Sequence, residues 1–137
     1  NYLKSNAKKL KINPERIGII GFSAGGTLAA AMGYNYDAKT RPAFIAAIYP
    51  WMKPIKEKIV QNDAPPLFIA AASDDQLGFN IGSTELYLDW VKSKHSAEMH
   101  LYSKGGHGFV AFKSGFPVDS WINRFADWLL VNNFTKK

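Results

Sequence analysis

The sequence predicts an α/β fold with a mainly parallel sheet and flanking helices. Two continuous apolar runs, at 43–49 and 67–72, have the composition of strands that are covered on both faces. They alternate along the chain with stretches whose apolar residues recur at helical spacing. Such an alternation is typical of a parallel sheet joined by right-handed crossovers. The 137 residues, 47% of them apolar, suit one domain with one core.

The first part of the chain predicts a helix over 2–11, a strand over about 16–22 and an alanine-rich helix that ends near Met32. The apolar residues of the first helix share one side: Leu3, Ala7 and Leu10. Pro14 ends this helix, because proline has no N–H to donate and restricts the residue before it. The small side chains of the alanine-rich helix allow it to pack close to a sheet.

The rest of the chain continues the alternation. After the run at 43–49, a polar excursion over 50–66 leads into the strand at 67–72. A helix over about 80–94 and a strand over about 97–102 follow. A final helix carries apolar residues at helical spacing, which we interpret as core: Val118, Trp121, Ile122, Phe125, Trp128 and Leu129.

The most informative motif is Gly21-Phe22-Ser23-Ala24-Gly25. It lies directly after a predicted strand and directly before a predicted helix, which is the context of a nucleophile elbow. A serine in such a strained turn is lifted clear of the sheet, and the N-terminus of the following helix favours negative charge beside it. We expect the glycines at 21 and 25 to be required because a side chain there would collide with the neighbouring strand or helix. The alternative is a glycine-rich turn with a bystander serine.

Polar residues follow three of the predicted strands. Ser23 follows the first, Asp74 and Asp75 follow the third, and His107 follows the fourth. Because the carboxyl ends of parallel strands meet at one edge of a sheet, we expect these residues to lie close together. A serine nucleophile needs an imidazole base, and the imidazole needs a carboxylate that fixes its tautomer. The chain order Ser, Asp, His is that of hydrolases with a nucleophile elbow.

With these residues the sequence resembles the α/β-hydrolase superfamily. It is most similar to its carbohydrate-ester and carboxylesterase members, the acetyl xylan esterase-like or "sugar hydrolase" branch, with a kinship to the prolyl oligopeptidase branch. The matching stretches span nearly the whole chain: 16–26, 49–50, 64–69, 73–75 and 102–109.

The resemblance implies a role for each of these residues. Ser23 would be the nucleophile and His107 the base, and in the family's Asp-Asp turn the first aspartate, Asp74, faces the histidine. Asp75 remains the alternative. The backbone N–H of Ala24 would supply one oxyanion-hole donor.

The resemblance also implies that the chain is the C-terminal half of an α/β-hydrolase fold. This sequence has no His-Gly-Gly loop upstream of Ser23, where family members place the second oxyanion donor. The strand at 16–22, normally internal, would have one edge without a partner, which is an aggregation hazard. We therefore expect residues 1–137 to form a single partial domain that is poorly stable and inactive in isolation.

Three aromatic residues flank the expected mouth of the site: Trp51, Phe79 and Phe109. We interpret them as residues that bind substrate. The alternative, weighed equally, is that they only cover the end of the sheet. His95 and His100 have no partner pattern and are assigned to the surface. The histidines and aspartates lack metal-ligand spacing, so no metal or other cofactor is expected.

The distribution of charged and apolar residues indicates which classes of partner are expected. The formal net charge is +6, yet its lysines are dispersed rather than arranged in an arginine-rich stripe, so a nucleic-acid partner is not expected. The lysines fall near the start (Lys4, Lys8, Lys9 and Lys11), in the middle (Lys53, Lys56 and Lys58) and at the end (Lys136 and Lys137). No apolar run reaches the ~20 residues of a membrane span. The absence of cysteine does not decide the cellular compartment, although the cytoplasm is favoured. Assembly into a homo-oligomer is possible.

The sequence therefore predicts a serine ester hydrolase that works through an acyl-enzyme. The excursion over 50–66 is too short for a large lid, and an aromatic rim can stack on a sugar ring. Short-acyl esters such as acetylated carbohydrates are the expected substrates. The alternatives are a peptidase of the prolyl oligopeptidase type, a lactone hydrolase, or a non-catalytic binding protein with the same fold.

Overall fold

The sheet of this protein has four parallel strands in sequence order, β1 (Ile19–Phe22), β2 (Ile45–Ile48), β3 (Leu67–Ala72) and β4 (Ala97–Tyr102). The structure is a computed structural model that describes residues 2–55 and 58–135. It confirms the predicted fold class of a parallel sheet with flanking helices. Of the dispersed lysines, Lys56, Lys136 and Lys137 lie outside the described residues.

Five α-helices accompany the sheet in the described part of the chain: α1 (Tyr2–Ser5), α2 (Ala7–Leu10), α3 (Ala24–Tyr34), α4 (Phe79–Lys92) and α5 (Trp121–Val131). Short 3₁₀ turns cover Pro14–Arg16, Phe109–Ala111 and Pro117–Ser120. β1 and β2 are joined through α3, and β3 and β4 through α4. The segment between β2 and β3 has no helix in its described residues.

The N-terminal helix is broken where the sequence predicted continuity over 2–11. The Asn6 side chain donates a hydrogen bond of 2.9 Å to the Tyr2 carbonyl and so competes with the helical backbone. The strand predicted from residue 16 also begins later, at Ile19. Arg16 instead ends a 3₁₀ turn over Pro14–Arg16, which is capped by the Asn13 side chain as it accepts a hydrogen bond from the Glu15 N–H.

The two central strands are buried on both faces, as their continuous apolar composition predicted. Side chains alternate between two cores. Ile45 and Leu67 face α3 and α4, and Trp90 fills the centre of that core. Ile48 and Phe68 face α5 on the other side. Because both cores press on the same two strands, the carboxyl ends of β2 and β3 are held in fixed positions.

β1 lies at one edge of the described sheet. Ile20 and Phe22 are 41% and 39% exposed there. The expectation that this strand has one edge without a partner therefore holds within the described residues.

Candidate active site

Ser23 occupies the sharp turn between β1 and α3. Its backbone φ is 52° and its ψ −119°, a conformation that residues with a side chain rarely adopt. The turn is fixed on both sides, because the Ser23 N–H donates to the Ile48 carbonyl at 3.0 Å and the Thr27 N–H donates to the Ser23 carbonyl at 3.0 Å. The predicted strained strand-to-helix turn is present.

Of the two glycines of this motif, Gly21 has the expected role and Gly25 does not. A Cβ on Gly21 would lie 2.0 Å from the Gly25 carbonyl oxygen, so only glycine fits at position 21. A Cβ on Gly25 would meet open space, so the predicted collision at position 25 is wrong. The close approach occurs one residue later. A Cβ on Gly26 would lie 3.0 Å from the Ile48 carbonyl oxygen, because α3 crosses the end of β2 at that point.

The side chains of Ser23, His107 and Asp75 form a continuous chain of hydrogen bonds. Ser23 Oγ lies 2.8 Å from His107 Nε2, and His107 Nδ1 lies 2.9 Å from Asp75 Oδ2. A carboxylate can only accept, so His107 carries its proton on Nδ1 and its Nε2 accepts the serine hydroxyl proton. The Asp75 side chain is fully buried, and the imidazole is mostly buried. The arrangement therefore pairs a hydroxyl with an imidazole whose orientation is fixed by a buried carboxylate.

The expectation that Asp74 faces the histidine is wrong. Asp75 is the buried residue of the pair, and its second oxygen accepts a hydrogen bond of 2.8 Å from the Leu77 N–H. Asp74 is exposed, and its carboxylate accepts a hydrogen bond of 2.8 Å from the Gly106 N–H. The turn after β3 directs the second aspartate, not the first, toward the imidazole.

Sequence analysis missed Gln76. Its side-chain oxygen accepts a hydrogen bond of 3.0 Å from the His107 backbone N–H. Glutamine next to two aspartates carries no motif, so nothing in the sequence alone singled it out.

Two aromatic rings pack against the imidazole. Tyr49 lies 4.8 Å from it between ring centroids and Phe79 lies 5.0 Å from it, both edge-on. Burial raises the pKa of Tyr49 to about 12; a hydrogen bond from the Val110 N–H lowers it, and the charge of Asp75 raises it. Tyr49 is therefore a neutral phenol at ordinary pH. Sequence analysis gave Tyr49 no role in the site.

The predicted aromatic rim is formed by two residues, not three. Trp51 and Phe79 stack with their rings 6.2 Å apart and nearly parallel, and Trp51 is 44% exposed. The Trp51 backbone is fixed by the Thr27 hydroxyl, which donates to the Trp51 carbonyl at 2.7 Å. Phe109 is wrong as a rim residue, because it is 2% exposed and its ring packs into the core against Tyr49.

An open cavity of about 540 Å³ is lined by residues of the segment after β2 and of the first turns of α4. Trp51 and Phe79 form one wall, and Phe79 also contacts the His107 ring. Lys58 and Glu85 form an ion pair at 3.7 Å and line the same cavity. The cavity therefore combines an aromatic wall with charged groups, and Phe79 is the lining residue that also contacts His107.

The other predicted residues lie as follows. Ala24 is the first residue of α3, so its N–H is one of the first-turn groups that have no carbonyl partner within the helix. His100 lies on β4 and pairs with Glu98 at 2.8 Å, whereas His95 follows α4. In residues 2–55 and 58–135 no cluster of three or more His, Asp or Glu side chains could hold a metal ion. No helix in those ranges has the length and apolar content to cross a membrane.

The chain is similar in sequence and fold to known hydrolases. The BD-FAE family model matches residues 1–48. The curated acetylxylan esterase of Xylanibacter ruminicola is 27% identical in an alignment 158 positions long, gaps included, that covers 93% of this chain. An α/β-hydrolase enzyme from a Medee basin deep-sea metagenome library superposes with a TM-score of 0.80 at 29% identity over 93% of this chain. A sugar hydrolase from Lactococcus lactis superposes with a TM-score of 0.80 at 26% identity over 98% of this chain.

All of these relatives are longer than the chain. The aligned region covers 33% of the curated acetylxylan esterase. It covers 59% of the metagenomic hydrolase and 66% of the sugar hydrolase. The similarity shows the fold and the hydrolase relationship, and the match lies within a larger protein in each case.

Proposed function

We propose that this chain, which has the α/β-hydrolase fold and is similar to acetylxylan esterases and sugar hydrolases, carries the catalytic centre of a serine ester hydrolase. One observation carries the proposal. A serine in a strained turn is hydrogen-bonded to an imidazole whose other nitrogen binds a buried carboxylate. Structural turns seldom keep such strain without a function.

The roles follow from the hydrogen bonds. Ser23 Oγ attacks the ester carbonyl carbon while His107 Nε2 takes the hydroxyl proton, and the imidazolium that forms is stabilised by Asp75. His107 then gives this proton to the departing alcohol, which leaves Ser23 acylated. In the second half a water loses its proton to His107 and attacks the acyl carbon. The carboxylic acid departs, and the proton returns to Ser23 Oγ.

The position of Ala24 supports a role in charge stabilisation. Its N–H lies at the start of α3, directly after the nucleophile. The positive end of the helix dipole favours the oxyanion that develops on the former carbonyl oxygen. We therefore propose Ala24 N–H as one oxyanion-hole donor.

We propose short-acyl esters of carbohydrates as the substrate class. The rim formed by Trp51 and Phe79 supports this class, because an exposed indole face can stack on a sugar ring. The segment between β2 and β3 has no helix in its described residues that could act as a lid over a long acyl chain. The curated relative at 27% identity is an acetylxylan esterase.

Covalent labelling tests the proposal. A fluorophosphonate should react at Ser23, because the imidazole removes the hydroxyl proton during attack on phosphorus. We expect a single adduct on the wild-type chain, located at Ser23 by peptide mass spectrometry, and none on Ser23→Ala. Ser120, a hydroxyl that donates to the Pro117 carbonyl, offers the control variant Ser120→Ala, which should label like the wild type. The experiment uses the complete protein that contains this chain, since residues 1–137 are expected to be inactive in isolation. A folded protein that is not labelled would overturn the proposal and favour a binding protein with the hydrolase fold.

A further inference from the structure

Three consecutive side chains after β3 hold the loop that carries His107. We refer to residues 73–77 as the aspartate turn and to residues 105–108 as the histidine loop. Asp75 binds the imidazole Nδ1, while Asp74 accepts from the Gly106 N–H at 2.8 Å and Gln76 accepts from the His107 N–H at 3.0 Å. The aspartate turn therefore contacts both the ring and the backbone of the base.

We propose that Asp74 and Gln76 are positioning residues that fix the backbone of His107 so that its Nε2 stays within hydrogen-bonding distance of Ser23. The inference rests on the proposed function, in which His107 is the base. It assigns roles to two exposed side chains that do not touch the reacting atoms.

The histidine loop needs such a constraint because its own backbone is permissive. Gly106 and Gly108 have φ values of 65° and 83°, and glycine loses more conformational freedom on ordering than other residues. Asp75, Tyr49 and Phe79 contact the imidazole ring, but none of these contacts fixes the backbone of the histidine loop. Two further hydrogen bonds to adjacent backbone amides fix the position from which the side chain extends.

A role in local folding of the turn does not explain these contacts. Asp75 already supports the turn itself, through the Leu77 N–H two residues ahead. Asp74 and Gln76 instead reach across 32 and 31 residues of sequence to the histidine loop. Because both side chains are exposed, their hydrogen bonds add little to the core. Their effect should appear in the geometry of His107.

The experiment compares variants that keep the acceptor oxygen with variants that remove it. Asp74→Asn and Gln76→Glu keep an oxygen at the same place, and Asp74→Leu and Gln76→Met do not. Asp127→Leu serves as the matched control, because Asp127 is an exposed carboxylate on α5 whose surface pair with Arg124 is of the kind that contributes little. Two quantities are measured on the full chain: the rate of fluorophosphonate labelling at Ser23, and the ¹⁵N shifts of the His107 ring, which report its tautomer.

We expect Asp74→Leu and Gln76→Met each to slow labelling by about tenfold or more, since a misplacement of about 1 Å can cost up to 10²-fold. Their ring ¹⁵N shifts should move toward an average of both tautomers. Asp74→Asn and Gln76→Glu should label at nearly the wild-type rate, and so should Asp127→Leu. Thermal denaturation of each variant checks that it is folded.

The inference would be overturned if the variants without the acceptor oxygen kept the wild-type labelling rate and tautomer. It would also be overturned if the variants that keep the oxygen, Asp74→Asn and Gln76→Glu, lost as much of the labelling rate as those without it. If the wild-type chain is not labelled, the proposed function fails, but the ring shifts still decide whether the aspartate turn orders His107. If Asp74→Leu does not fold, Gln76→Met decides the question alone.

Discussion

At the scale of single residues, Ser23 shows how strain and hydrogen bonding are combined. A serine at φ 52° is held in a sparsely populated conformation that costs about 1–3 kcal/mol. The hydrogen bonds of its N–H and carbonyl to β2 and α3 oppose that cost. Its Oγ is consequently presented to His107 rather than to the helix that it precedes. The same sharp turn brings α3 so close to β1 that a Cβ at position 21 would collide with the Gly25 carbonyl, which is why glycine is required there.

Asp75 is the residue whose replacement should be most informative. Asp75→Asn keeps the size of the side chain and an oxygen for the Leu77 N–H, but its amide would donate to Nδ1. The imidazole would then carry its proton on Nε2 and could not accept the serine proton. We expect labelling of Ser23, and ester turnover where it is measured, to fall by about 10⁴-fold.

Asp74→Asn is the matched control for this prediction, because its amide oxygen can still accept from the Gly106 N–H. Its labelling rate should stay close to that of the wild type. Equal losses in the two variants would contradict the assignment of Asp75 as the partner of His107.

The sequence could place His107 and Ser23 together but could not choose between the adjacent aspartates. The order of the residues along the chain and their positions after strands predicted that Ser23 and His107 lie together. Which aspartate binds His107 depends instead on how the aspartate turn directs each carboxylate. Asp75 is buried and Asp74 exposed, and no property of their side chains distinguishes them. Phe109 was misplaced for a related reason, since a phenylalanine in the core and one at a cavity rim look alike in sequence.

At the scale of elements, the close approach of α3 to β2 fixes the position of Ser23. The contact lies at Gly26, which a Cβ would bring to 3.0 Å from the Ile48 carbonyl oxygen and 3.2 Å from Pro50. Gly25, its neighbour in the same helix, faces open space. Substitution of Gly25 therefore tests helix propensity alone, whereas substitution of Gly26 also tests the packing of α3 on β2.

We expect Gly25→Ala to stabilise the chain by up to about 1 kcal/mol, because alanine is the better helix former. Gly26→Ala should destabilise it by about 1–3 kcal/mol, because α3 must move away from β2. Urea unfolding of the two variants and the wild type provides the comparison. A loss of stability in Gly25→Ala as large as in Gly26→Ala would show that α3 does not pack as described.

The elements were predicted to different degrees for physical reasons. β3 and β4 begin and end where the sequence placed them, and β2 lies within its predicted run. For β2 and β3 the reason is burial on both faces, which leaves a continuous apolar signal. The N-terminal helix was misjudged because the Asn6 side chain competes for a carbonyl, which apolar spacing does not register. The start of β1 was misjudged because Pro14–Arg16 curls into a 3₁₀ turn before the strand begins.

At the scale of the whole molecule, the sheet and two cores bring together groups from separate crossovers. One residue of the site follows each strand, so all four lie near one end of the parallel sheet. Ser23 follows β1, Trp51 follows β2, Asp75 follows β3 and His107 follows β4. Phe79 links the reactive groups to the cavity, since its ring contacts both His107 and Trp51. The proposed chemistry and the proposed binding surface thus depend on the same packing.

This link leads to a prediction about substrate choice. An open, aromatic-walled cavity favours a small acyl group on a polar alcohol, since a long acyl chain would need an enclosed apolar channel. We expect kcat/KM for p-nitrophenyl esters to be highest for acyl groups of two to four carbons. We also expect Trp51→Ala to lower kcat/KM on acetylated xylo-oligosaccharides about tenfold or more. The loss of Trp51→Ala on p-nitrophenyl acetate should be smaller. Leu28→Ala, a change on the exposed face of α3, is the control. A peak at eight carbons or longer would contradict the short-acyl proposal, and equal losses on both acetyl esters would contradict stacking of a sugar on Trp51.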